Sequence, residues 1–112
     1  MRLAIVGSRE FANQRLFDET MAEYRGTVIL VVSGGTAGAD RMGERWARSN
    51  GIETLIFLPE PKKYRHPFHV RNRKIVEACD SLIAFWNGRS SGTRYTIDYA
   101  RHLGKPVRIV RA

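Results

Sequence analysis

Five short runs of this chain are apolar nearly throughout: Leu3-Ala4-Ile5-Val6, Val28-Ile29-Leu30-Val31-Val32, Leu55-Ile56-Phe57-Leu58 at the end of a stretch opening at Ile52, Leu82-Ile83-Ala84-Phe85-Trp86 after Ser81, and Val107-Arg108-Ile109-Val110. Runs of this length without alternation suit strands covered on both faces. The second is the most apolar and is expected in a central position. Between the runs the spacing becomes helical. Phe17, Met21 and Tyr24 recur at i, i+4 and i+7, with Asn13 as N-cap and Gly26 as the stop. Ala39, Met42, Gly43, Trp46 and Ala47 share one face, with Arg41, Glu44, Arg45 and Arg48 outward and Gly51 ending the helix. A third helix is expected from about His69, and a fourth carries Ile97, Ala100 and Leu103 inward before Gly104 and Pro106. Repeated βα order predicts an α/β fold: a single Rossmann-like domain over residues 1–112, with a five-stranded, mainly parallel sheet and helices on both faces.

Three stretches escape both periodicities, and each follows a strand: Gly7-Ser8-Arg9, Ser33-Gly34-Gly35-Thr36-Ala37-Gly38-Ala39-Asp40, and Asn87-Gly88-Arg89-Ser90-Ser91-Gly92-Thr93. In a doubly wound sheet all three lie at the carboxyl edge, where ligands bind near the reversal of strand order. Backbone N–H groups at a helix start have no partner within the helix, and glycine lets a ligand approach them closely, so these turns suit phosphate, the alternative being glycine for turn geometry alone with a solvated Arg9. Arg9, Arg71 and Arg94 offer planar donor forks to the same edge. Asp40 has two readings: an acid favoured by the helix dipole, or a carboxylate that holds the loop or accepts from a ribose hydroxyl. Trp86 either stacks on a base or packs beneath the crevice, packing being preferred.

Net charge is +8, and it is clustered: Lys62, Lys63, Arg65, Arg71, Arg73 and Lys74 fall in one segment with His66 and His69 among them. Cations in the first turns of the third helix oppose its dipole; an anion held near Arg71, Asn72 and Arg73 accounts for them, an exposed basic surface being the alternative. The histidines have no Cys, Asp or Glu at ligand spacing and read as solvated loop residues, so neither a metal nor a cofactor is expected. The 43% hydrophobic and 27% charged shares are those of a globular protein, and no apolar run approaches the ~20 residues of a membrane span. The first strand follows Met1 directly, so a complete, cytoplasmic chain without a leader or membrane partner is expected. Cys79, the one cysteine, has no disulfide partner and reads as a buried helix residue.

The first turn lacks G-x-G-x-x-G, and no G-x-x-x-x-G-K-S/T occurs, which disfavours an ordinary NAD dehydrogenase and a P-loop enzyme. Ile5-Val6-Gly7-Ser8-Arg9, Ser33 to Asp40, Arg71-Asn72-Arg73 and Ala84 to Thr93, in that order across essentially the whole chain, resemble the YspA-type, YpsA-related branch of the SLOG superfamily. The resemblance implies a Rossmann-like fold with a crevice for nucleotides or nucleotide-derived molecules, bounded here by Gly7, Ser8, Arg9, Ser33, Gly34, Gly35, Thr36, Gly38, Asp40, Arg71, Asn72, Trp86, Asn87, Ser90, Ser91, Gly92, Thr93 and Arg94. It also implies a homo-oligomer, since relatives associate through their helices. The LOG phosphoribohydrolases of that superfamily carry P-G-G-x-G-T-x-x-E. Gly92 and Thr93 match, but Gly88, Arg89 and Ser90 replace the first three residues and Thr96 replaces the glutamate. A hydroxyl cannot substitute for that carboxylate. The expected function is therefore binding of a nucleotide-derived ligand by a sensor, carrier or sequestering protein. A nucleotide-processing enzyme using Asp40 with Arg71 or Arg73 is the alternative, and a DprA-like nucleic-acid binder built on the basic segment ranks third.

Overall fold

The computed structural model describes residues 1–112. Five strands, β1 (Arg2–Gly7), β2 (Leu30–Ser33), β3 (Glu53–Ile56), β4 (Ser81–Trp86) and β5 (Val107–Arg111), pair in the order β3-β2-β1-β4-β5. Every pairing is parallel, as right-handed crossovers through helices require. The helices are α1 (Gln14–Met21, continued by a 3-10 turn over Ala22–Tyr24), α2 (Ala39–Ser49), α3 (Pro67–Ala78) and α4 (Ser91–His102). None is long and apolar enough to cross a membrane.

Two cores explain why the strands lack alternation. Leu3, Ile5, Val31, Ile83 and Phe85 pack with Phe17 and Met21 of α1 and Met42 and Ala47 of α2. Ala4, Val6, Val32, Leu82 and Ala84 pack on the other face with Ile75 and Val76 of α3 and Ile97 and Ala100 of α4. Alternate residues of one strand thus bury in opposite layers, and both must be apolar. The middle strand is β1, and β2 beside it is likewise interior, paired with β1 and β3. The second apolar run is displaced: Ile29 is 72% exposed, and the strand runs from Leu30 to Ser33, whose carbonyl accepts from the Phe57 amide.

Several boundaries shift for local reasons. Pro67 opens α3 two residues before His69, its fixed φ and missing N–H being suited to the first helical position. Cys79 is buried but just past that helix, in extended backbone, with its thiol on the Val76 carbonyl. Leu103 lies beyond the end of α4 and is exposed. Glu44, expected outward, is buried beneath the turn after β2. The chain reverses direction across the sheet in α3, which packs over β1 and β2 on its way from β3 to β4. The carboxyl ends of β1 and β4 therefore diverge into helices on opposite faces, leaving a crevice between them.

Candidate functional site

The turn after β2 is held from within. The Ser33 hydroxyl donates to Glu44 Oε2 at 2.7 Å and accepts from the Gly35 amide at 3.3 Å. Asp40 Oδ2 accepts from the Thr36 hydroxyl at 2.9 Å and from the Thr36 amide at 3.4 Å. The acid in the first turn of α2 is thus turned back onto Thr36, and the helix has no side-chain cap. Gly38 must be glycine: its φ is +81°, and a Cβ there would strike the carbonyl oxygens of Ser8 and Arg9. Gly34 is needed for space, since a Cβ would stand 2.8 Å from Arg71 Nη1 and 2.9 Å from Asp40 Oδ2.

Arg71 reaches this turn from the first turns of α3. Its Nη1 donates to the Gly34 carbonyl at 2.7 Å and its Nε to Asn72 Oδ1 at 2.7 Å, while the guanidinium lies over the Phe68 ring. A cation at an unfavourable helix position is thus stabilised by a carbonyl and by the field of Asp40. Burial lowers the Arg71 pKa, against the attraction of Asp40. Burial pushes the Asp40 carboxyl up to about 6, while the Thr36 hydroxyl and Arg71 pull it down.

Ser8 ties the first turn to the third: its amide donates to the Phe85 carbonyl and its hydroxyl accepts from the Asn87 amide at 3.1 Å. Asn87 Oδ1 in turn accepts from the amides of Arg89 and Ser90, and Ser90 caps α4 by accepting from the Thr93 amide. No acid occupies the first turn of α4, and the amides of Ser91 and Gly92 find no partner in the chain. This second helix start remains available to an anion.

A cavity of about 720 Å³ joins these parts. Gly7, Arg9, Thr36, Asp40, Arg71, Asn72, Ser90, Ser91, Gly92 and Thr93 line it. Ser8, Ser33, Gly34, Gly35, Gly38, Trp86 and Asn87 instead support the walls: Trp86 packs against the core beside α3 and α4, its indole N–H on the Ser90 carbonyl and Arg111 over its ring. Arg94 turns outward beside Asp98, at 3.9 Å, and Arg73 donates to Tyr95 Oη at 2.8 Å, away from the cavity wall. Glu10, Phe68, His69, Arg89, Tyr95 and Thr96 also line the cavity without having been singled out as ligand contacts. Helical spacing carried the signal for three of them: His69 precedes Asn72 by three residues, and Tyr95 and Thr96 follow Ser91 and Gly92 by four. His69 is a residue of α3 rather than of a solvated loop, and its ring stacks on Tyr95 at 4.2 Å between centroids. No group of three or more His, Cys, Asp or Glu side chains is placed to hold a metal ion.

The fold is similar to that of DNA processing protein A (DprA) from Streptococcus pneumoniae, with a TM-score of 0.82 and 22% identity over 99% of this chain. The match spans 50% of that DprA chain. The Gene 61 protein of Mycobacterium phage D29 is 33% identical, over 95% of this chain and 93% of its own length. Residues 1–64, which include the first two glycine-bearing turns and Asp40, match the model of the YspA, cpYpsA-related SLOG family. The chain belongs to the YspA, cpYpsA-related SLOG family.

Proposed function

We propose that this protein binds a nucleotide or nucleotide-derived small molecule in the crevice between β1 and β4, acting as a sensor, carrier or sequestering protein. The observation that carries this reading is the start of α4: unpaired amides at Ser91 and Gly92 open onto a cavity also lined by Arg9, Arg71 and Arg89. A volume of about 720 Å³ accommodates a small organic ligand, and Phe68 and Tyr95 supply ring faces for a base. Binding is favoured over cleavage because Thr96, at the place of the LOG glutamate, spends its hydroxyl on the Gly92 carbonyl of its own helix. A hydrolase would have to rely on Asp40 or Glu10, the acids on the cavity wall.

Calorimetric titration with nucleoside mono- and diphosphates tests the proposal. Gly92→Asp is the informative variant: a Cβ at Gly92 meets nothing within 4 Å, so the fold is retained while a carboxylate fills the anion position. Saturable binding by the wild type, weakened at least about tenfold in the variant, is expected. Silence across the panel, or identical binding by both proteins, contradicts it.

A nucleic-acid reading has its own support. Phe68 is 49% exposed, the rings of His66, His69 and Tyr95 form a column, and Lys62, Lys63 and Arg65 directly precede His66 in the chain. The fold is shared with a protein named for DNA processing. This reading predicts single-stranded DNA affinity that falls steeply with salt and is lost in Lys62→Glu/Lys63→Glu. Retention of affinity in that double variant argues against it.

A further inference from the structure

We infer that the floor of the cavity is built to hold a vicinal diol, so that the ligand is a ribonucleotide and not its 2′-deoxy counterpart. The inference rests on the nucleotide reading and specifies which class of nucleotide the crevice selects. Three polar side chains on the wall are more than nine-tenths buried: Asp40 at 5% exposure, Arg71 at 6% and Asn72 at 8%. Each is half used. Asp40 spends Oδ2 on Thr36, and its Oδ1 has no protein partner. Arg71 spends Nε and Nη1 and leaves Nη2. Arg71 Nε can only donate, so it fixes the Asn72 carboxamide with Oδ1 toward the guanidinium and leaves both Nδ2 hydrogens unmatched. No fully enclosed side-chain nitrogen or oxygen in the chain lacks a partner, so these three atoms keep access to solvent, and their residues line the cavity.

An acceptor beside two donors is the complement of groups that donate and accept at once, which is what adjacent sugar hydroxyls do. A base edge could form similar bonds, but a base also needs ring faces, and those are supplied by Phe68 and Tyr95. A phosphate is excluded from Asp40 by charge and is better served at Ser91 and Gly92. The sugar joins base and phosphate in a nucleotide, and the buried acceptor-donor set is the part of the wall that neither end needs. Such a set discriminates strongly, because a missing hydroxyl leaves a buried charged group unmatched.

The test compares adenosine and guanosine 5′-monophosphates with their 2′-deoxy forms, and ribose 5-phosphate with 2-deoxyribose 5-phosphate, by calorimetry on the wild-type protein. Each ribose member is expected to bind about 10- to 100-fold tighter than its deoxy partner. In Asn72→Ala and Asp40→Asn the gap narrows to within about threefold, the ribose member losing the more affinity of each pair. The sugar phosphates carry no base, so discrimination between them excludes a base-edge origin, and the wild-type pairs need no variant to fold. Equal affinity within the pairs overturns the diol inference and leaves the nucleotide reading standing. Binding of no member overturns both.

Discussion

Asp40 is a buried acid on the cavity wall, and its environment sets a stability test. Its carboxyl is raised to about 6 by burial, from 3.8 in a solvated chain, with Arg71 and Glu44 as the charged neighbours acting on it. An acid with a raised value in the folded state holds its proton more tightly folded than unfolded. Stability is therefore lost as pH climbs from about 4 through about 6, and Asp40→Asn, which keeps an acceptor for Thr36, removes the loss. Asp40→Asn is expected to gain on the order of 2 kcal/mol over the wild type between pH 4 and pH 7 in urea melts. A difference independent of pH contradicts this. Gly38→Ala meets backbone oxygens at positive φ and is expected to cost about 2 kcal/mol or more, whereas Gly34→Ala meets the movable Arg71 and Asp40 side chains. Chemical denaturation ranks the two, and Gly34→Ala should be the milder for stability and the more damaging for binding. The sequence drew attention to Asp40 and both glycines because they lie in a glycine-rich stretch that fits neither periodicity. It left Glu44 on the outside, because a carboxylate on a helix reads as solvated until Ser33 is known to lie beneath it.

The elements differ in how far their ends are coded locally. Asn13 and Ser90 cap α1 and α4 through their own side chains, and Pro67 opens α3, all signals visible in the chain. Ser90→Ala is expected to lower stability by about 1 kcal/mol, read as a shifted urea midpoint, by leaving the Thr93 amide unpaired. An unchanged midpoint would remove Ser90 from the account of how α4 is presented. By contrast β3 shrinks to Glu53–Ile56 because it is an edge strand followed by Pro59, and apolar content alone gives no such limit. Cations in the first turns of α3 were legible as an anomaly. Their resolution was not, since the partners of Arg71 lie 37 residues away at Gly34 and on the adjoining Asn72.

At the scale of the molecule, strand order decides where function can reside. Parallel order β3-β2-β1-β4-β5 places its reversal between β1 and β4, and the two helix starts near it differ in charge: α2 carries Asp40 in its first turn, while α4 carries no acid there. Periodicity sufficed to predict the sheet and its two layers, because both depend on alternating burial along each strand. It could not say that Asp40 turns back onto Thr36, because that depends on the conformation of a single side chain. The net charge of +8 adds a screened, long-range attraction that both the nucleotide and the nucleic-acid readings share, so charge alone separates neither. Amide NMR of the labelled protein during titration with adenosine 5′-monophosphate separates them and tests the central claim most directly. The predicted result is saturable movement of the Ser91 and Gly92 amides, with the Asn72 side-chain amide following and Lys62 to Arg65 unmoved. Shifts confined to Lys62 to Arg65, or none at all, would contradict a nucleotide crevice between β1 and β4.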